Sequence, residues 1–181
     1  KSPALLQQYR DLVVPALQKN LGITNILAVP KVTAVVLNVG ASQALKDPKY
    51  LDTIANTLSR ISGQKAIPRP AKKSIAAFKI REGQVVGMKV TLRGARMYDF
   101  LYKLINATFP RMRDFHGMSP TCLDAQGNMS FGFPEHMVFP EIRPDEIERV
   151  HGVQITVVTN AKKRAHAFEL LKMLGFPFQV S

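Results

Sequence analysis

The chain has 181 residues, 46% of them hydrophobic, which suits a folded domain hiding roughly 70% of its unfolded surface and excludes a largely disordered protein. A single cysteine, Cys122, rules out an internal disulfide and any CxxC metal or redox site. The formal charge is +12, and no stretch approaches the ~20 continuous apolar residues of a membrane-spanning helix.

The opening residues lack the long apolar core of a secretory signal, which predicts a protein of a reducing or redox-indifferent compartment. Ser2 as N-cap and Pro3 at the first helical position predict a first helix. Leu5, Leu6, Tyr9, Leu12, Val13 and Leu17 recur along it at helical spacing, and Pro15 should kink it or end it early. Val32 to Val39 reads as a strand closed by Gly40. A second helix opens at Asp47-Pro48, turns Leu51, Ile54, Ala55, Leu58 and Ile61 inward, and stops at Gly63.

Gln64 to Ile67 reads as a short strand, and the chain from Pro68 to Gly83 as an extended loop. The strand Val85–Arg93 alternates apolar Val86, Met88, Val90 and Leu92 with Lys89, Thr91 and Arg93. After Gly94 a helix carries Tyr98, Leu101, Tyr102, Ile105 and Phe109 on one side until Pro110. Thr121 to Phe133 reads as a hairpin turning at Gln126-Gly127-Asn128, with Cys122 a small core residue of its first strand. Arg143 to Glu146 starts a short helix, Val153–Thr159 is a strand, and Ala161–Leu174 is a last helix ending at Gly175.

Interleaved helices with hairpin signals predict an α+β fold: a mainly antiparallel sheet with helices on one face, spanning residues 1–181 as a single domain. If Val35, Leu37, Val39 and the even positions of 86–92 meet the helices, the open face carries Asn38, Lys89, Thr91 and Arg93. Gln154 and Thr156 extend that face from the late strand. Such rows of amide, hydroxyl and cationic groups suit sugars, phosphates and base edges.

The charge is concentrated in the middle third. Residues 60–113 hold 13 cations against Glu82 and Asp99, whereas residues 114–181 hold 6 against 8 acidic groups. Solubility requires net charge but not its confinement, so the field points to a polyanion, and nucleic acid is the usual one. An anionic membrane fits less well, because the basic segment shows no amphipathic helix with an aromatic face.

Catalytic patterns are thin. There is no GxGxxG, GxxxxGK[ST] or GxSxG, and His116, His136, His151 and His166 form no ligand pair, reading as surface or half-buried imidazoles. The acidic residues Glu141, Asp145, Glu146 and Glu148 are explained by a helix start rather than by a metal. No catalytic residue, cofactor or metal is expected.

The sharpest feature is the basic loop, about 68–83. Lys65, Arg69, Lys72, Lys73, Lys79 and Arg81 stand in or beside it with two prolines, and Ile75, Phe78 and Ile80 offer apolar or stacking contacts. Either those apolar groups tuck back onto the core or they accompany the cations outward. A second basic knot runs from Arg111 through Arg113 to His116.

Seven short runs then stand in register with a known family. They are Leu37-Asn38-Val39-Gly40, Ile61 to Lys65, Phe78 to Gly83, Lys89 to Gly94, Pro110 to Phe115, Phe139 to Ile142 and Gly175 to Phe178. In order and spacing the chain resembles the bacterial-type large-subunit ribosomal protein five family over essentially its whole length.

The resemblance implies a protein that binds 5S rRNA and anchors it in the central protuberance of the large subunit. It also implies contact with the large-subunit rRNA, with a small-subunit ribosomal protein across an intersubunit bridge, and with P-site tRNA through a loop. Residue by residue it nominates Asn38, Gln64, Lys65, Thr91 and Arg93 for the 5S rRNA surface, which Lys89 joins through the pleat. It nominates Arg69, Lys72, Lys73, Ser74, Phe78, Lys79 and Arg81 as the tRNA-facing loop, and Arg111 and Arg113 for other rRNA contact. The ribosome would be that of a bacterial cytoplasm or a bacterial-type organelle.

His116 and His136 depart from the family pattern, where Arg and Gln are expected, and a neutral His at 116 cannot replace an always-charged phosphate ligand. Two other readings remain at this point. An RNA-processing or RNA-modifying enzyme would need convergent titratable groups in a pocket, and a protein-interaction module would use the acidic last third on a basic partner.

Overall fold

The computed structural model describes residues 2–41, 49–113, 115–143, 145 and 149–179. Helix α1 (Ala4–Gln8) continues through a π-turn (Tyr9–Val13) into α2 (Val14–Leu21), with Pro15 in the first turn of α2. Pro15 therefore neither stops the helix nor occupies its regular interior. The wider turn before it absorbs the missing N–H, as π-bulges do. Pro3 rather than Ser2 is the N-cap, without a side-chain cap. Leu5, Tyr9, Val13 and Leu17 are buried, while Leu12, expected inside, is 66% exposed because the π-turn rotates the apolar stripe past it.

Strand β1 (Val32–Gly40) leads to α3, described as Lys49–Ser62; the expected start at Asp47-Pro48 lies outside the described residues. The buried stripe of α3 is Tyr50, Ile54, Thr57, Leu58 and Ile61, so Leu51 and Ala55 are only half-buried. β2 is Ile67–Pro70, β3 is Val85–Leu92, and α4 is Gly94–Lys103, with Arg93 its N-cap. Met97, Tyr98, Phe100 and Leu101 are the buried residues of α4, and Tyr102, expected inside, is exposed. A second π-turn (Leu104–Thr108) and a 3-10 turn (Phe109–Arg111) close this segment around Pro110.

The expected hairpin is present only in part. Its turn forms, with the Asp124 carboxylate accepting the Asn128 backbone N–H at 2.7 Å, and β4 (Met129–Phe133) follows. The first arm makes a single bridge, Leu123 to Met129, because Ser119-Pro120 starts a 3-10 turn there. Cys122 is thus a half-buried turn residue, not a strand residue, and burial pushes its thiol pKa up. β5 is Val153–Thr159 and α5 is Arg164–Met173, starting three residues later than its apolar pattern suggests. The expected helix start at Arg143 to Glu146 falls partly outside the described residues.

The five strands form one antiparallel sheet in the order β2-β3-β1-β5-β4, consistent with the α+β expectation. The direction of β1 against β5 follows from reciprocal bonds of Lys31 with Asn160 and from the Thr33 hydroxyl donating to the Val158 carbonyl.

Contacts divide the chain into two compact units. One comprises residues 1–35, 92–131 and 156–181, with α1 packed on α4. Phe109 is the hub of its aromatic cluster, stacked on Phe115 at 5.1 Å and touching Phe131 and Phe176. The other comprises residues 36–91 and 132–155 and buries Leu37, Val39, Ile54, Leu58, Val90, Phe133 and Phe139.

Candidate nucleic-acid interface

Within the second unit, strand alternation separates two faces. Leu37, Val39, Met88 and Val90 are buried, whereas Asn38, Lys89 and Thr91 are half-buried, as the pleat requires. Ala41 donates its backbone N–H to the Val86 carbonyl at 2.8 Å, and the register set by that bond brings Asn38 level with Lys89. Gly87 is where the two backbones come closest: a Cβ there would lie 2.8 Å from the Val39 carbonyl oxygen. Arg93 ends the same strand alternation in the first unit, exposed as the N-cap of α4.

Gln64 is held at the end of α3. The Ser62 hydroxyl donates to the Leu58 carbonyl at 2.6 Å and accepts the Gln64 backbone N–H, closing the helix. The Gln64 side-chain amide then donates to the Thr91 carbonyl at 3.2 Å, joining two candidate residues far apart in sequence. Half of that amide is therefore spent on the protein, leaving its oxygen for a ligand. Lys65 beside it is exposed.

A depression of about 350 Å³ lies against Asn38, lined also by Gly40, Gly132, Phe133, Gly152 and Gln154. The amides of Asn38 and Gln154 flank backbone left bare by three glycines, a shape that admits a sugar or base edge close to the main chain. Sequence reasoning placed Asn38 and Gln154 on this face but missed the glycines. Their occurrence within and beside strands was the available signal.

The basic arm is more ordered than its composition suggests. Ile67–Pro70 is a strand paired antiparallel with β3, Ile67 opposite Lys89 and Pro68 opposite Met88, with a register shift at Arg69-Pro70. The sequence expectation ended the strand where it begins, because prolines oppose a central strand but are tolerated on an edge. Pairing continues outward through Ala71 with Gln84 and Gly83, then Ile75 with Ile80. At the tip, Ala76–Phe78 is a 3-10 turn capped by Lys79 at φ 55°, the only described non-glycine residue with positive φ.

The side chains of Arg69, Lys72, Lys73, Phe78, Lys79 and Arg81 are all exposed, and Phe78 is 67% exposed, so it does not tuck back onto the core. Ser74 is exposed as well, its hydroxyl accepting the Glu82 backbone N–H at 2.9 Å. Arg111 and Arg113, in the first unit, are exposed in the turns after the second π-turn.

Two histidines depart from the expected surface or half-buried placement. His136 and His151 are buried and stacked, ring centroids 4.1 Å apart and 7° from parallel, with Tyr50 edge-on to His151. The His136 Nδ1 lies 3.2 Å from the His151 backbone nitrogen, whose N–H it can accept, and 3.3 Å from the His151 carbonyl oxygen. Burial, and then the neighbouring ring, push the His151 pKa down to about 4, so the pair is neutral near pH 7. They brace the loops around β4 and β5 rather than present an acid or base. Among the described residues no group of His, Cys, Asp or Glu is gathered for a metal ion.

The arrangement is an α+β protein with an open polar sheet face, an ordered cationic arm and no catalytic constellation among its described residues. Comparison with known proteins narrows that class. The family model for ribosomal protein L5 matches residues 25–81, and the model for the ribosomal L5P family C-terminus matches residues 85–178. The chain is 51% identical over 174 residues to large ribosomal subunit protein uL5 of Halothermothrix orenii, covering 96% of this chain and 97% of the relative. It is 51% identical over 175 residues to uL5 of Dictyoglomus thermophilum, covering 97% and 98%, and 49% identical to that of Thermotoga maritima, covering 97% and 95%. The chain belongs to the ribosomal protein L5 family and is a structural, non-enzymatic ribosomal protein.

Proposed function

We propose that this chain binds 5S rRNA and helps attach it in the central protuberance of the large ribosomal subunit. Its sheet face holds the RNA, through Asn38, Gln64, Lys65, Lys89, Thr91 and Arg93, and residues 1–181 act as one domain. The observation that carries this reading is the register of Asn38 with Lys89, beside the bond from Gln64 to Thr91. Amides, a hydroxyl and an ammonium group thus accompany one another on this face, and Asn38 with Gln154 borders a depression floored by bare backbone. That mixture reads sugar, phosphate and base edges together.

The arm, with Arg69, Lys72, Lys73, Lys79 and Arg81 exposed around Phe78, reaches the P-site tRNA. Its cations neutralise phosphates, and the aromatic ring stacks on a base or ribose. Ser74 shapes the arm through its bond to Glu82. Arg111 and Arg113 contact the large-subunit rRNA, and a small-subunit ribosomal protein meets the chain across the subunit interface. The particle is the ribosome of a bacterial cytoplasm or of a bacterial-type organelle.

Crosslinking in intact large subunits, with sequencing of the attached RNA, tests this. Adducts from Lys65 and Lys89 should map to 5S rRNA, and adducts from Lys72 and Lys79 should map to tRNA in translating ribosomes. Adducts of Lys65 and Lys89 confined to other RNA would overturn the 5S assignment.

A further inference from the structure

We propose that the cavity framed by the turn after α2 and by α4 is a docking site for a protein partner, which inserts an apolar side chain flanked by carboxylates. The site lies wholly within the first unit and on residues that the RNA reading does not use. Its volume is about 590 Å³, ample for a Leu or Phe side chain and its neighbours. Its floor is apolar and aromatic, with Tyr9, Met97 and Tyr98 buried.

Its wall is the unusual part. Ile26 and Leu27 line the cavity, yet they are 65% and 85% exposed. They are not loose: Asn25 caps their 3-10 turn, its side-chain oxygen accepting the Leu27 backbone N–H at 2.9 Å. The following residues are pinned as well. The Tyr9 hydroxyl donates to the Pro30 carbonyl at 2.9 Å, and the Lys31 backbone N–H donates to the Asn160 side-chain oxygen at 2.7 Å. Two large aliphatic groups are thus held toward water at the mouth of an apolar cavity, which is preorganised for a hydrophobic anchor.

The charges complement one class of occupant. Arg10 and Lys31 are the charged residues lining the cavity, both exposed, so an entering segment meets cations beside an apolar hollow. RNA fits less well. A base needs an exposed aromatic face, whereas both tyrosines are buried and the exposed groups are aliphatic. A carboxylate-flanked Leu, Phe or Met satisfies both the hollow and its rim.

The test is selection of random short peptides displayed on phage against the full chain, repeated with Leu27→Asp and Lys31→Glu. Both positions are exposed, and unchanged 5S rRNA affinity will verify that the variants fold. The expected consensus is one apolar anchor with Asp or Glu beside it, and synthetic consensus peptide should bind Leu27→Asp at least roughly tenfold more weakly. Lys31→Glu should lose the acidic preference. The proposal is overturned by no enrichment, by a consensus without acidic flanks, or by peptide affinity indifferent to Leu27→Asp. Loss of rRNA affinity in Leu27→Asp with no peptide enriched would instead make the site an RNA contact and also overturn it.

Discussion

Arg93 shows how one side chain can belong to two elements. It ends the polar alternation of β3 and caps α4 without a side-chain cap bond, so its guanidinium is exposed to a ligand. Arg93→Ala is expected to weaken 5S rRNA binding by ~1–3 kcal/mol in a filter or anisotropy titration, the loss typical of one charge-assisted contact. Unchanged affinity would remove it from the interface.

His151 makes a different kind of prediction. Its folded pKa, about 4, lies below the roughly 6.5 of an unfolded His, so the unfolded chain binds the extra proton. The neutral stack therefore contributes its full stability above about pH 6.5 and loses it progressively as the pH falls toward 4. The effect is on the order of 3 kcal/mol. Thermal unfolding from pH 7.5 down to 4.5 should show a steeper fall for the native chain than for His151→Phe. Parallel curves would mean that the ring does not titrate with unfolding.

At the scale of elements, the pairing of β1 with β3 depends on a residue without a side chain. A Cβ at Gly87 would sit 2.8 Å from the Val39 carbonyl oxygen, and that atom is backbone, so the strands must part to accept it. Gly87→Ala should destabilise the fold by roughly 1–3 kcal/mol, read as a lower denaturation midpoint with an unchanged m-value. Because Lys89 follows two residues later, 5S rRNA affinity should fall with it. A fully stable variant would show that the strands have room to shift. The arm follows the same logic: its prolines suit β2 to an edge strand, while backbone bonds between Ala71 and Gln84 and between Ile75 and Ile80 carry the pairing outward to the tip.

For the whole molecule the governing quantity is charge. A chain at +12 with its excess between residues 60 and 113 repels itself until a polyanion neutralises it. Engagement of six to eight phosphates should make log K for 5S rRNA fall with log salt at a slope of roughly −4 to −7. Charge-reversing two arm residues, Lys72→Glu with Lys73→Glu, should leave that slope nearly unchanged while weakening tRNA contact, if the arm and the sheet face engage different RNAs as proposed. A slope near zero would leave the sheet face without an electrostatic role.

Composition and strand alternation by themselves determined that this is an α+β protein with a cationic middle third, because pleat period and charge are local properties of the chain. They located β1 and β5 almost to the residue, along with the polar positions Asn38, Lys89 and Thr91; residues 68–83 they read as a loop, and the named roles came from the family resemblance. Helix faces were less legible. π-turns rotated the stripe of the first helix away from Leu12, and Met97, Phe100 and Leu104 outcompeted Tyr102 beyond β3. Only the tertiary structure decided that Gln64 bonds to the strand it serves, that the proline-rich segment pairs as an edge, and that two histidines stack in the core. Each depends on contacts between residues distant in the chain, whose register and burial exist only after the strands have paired.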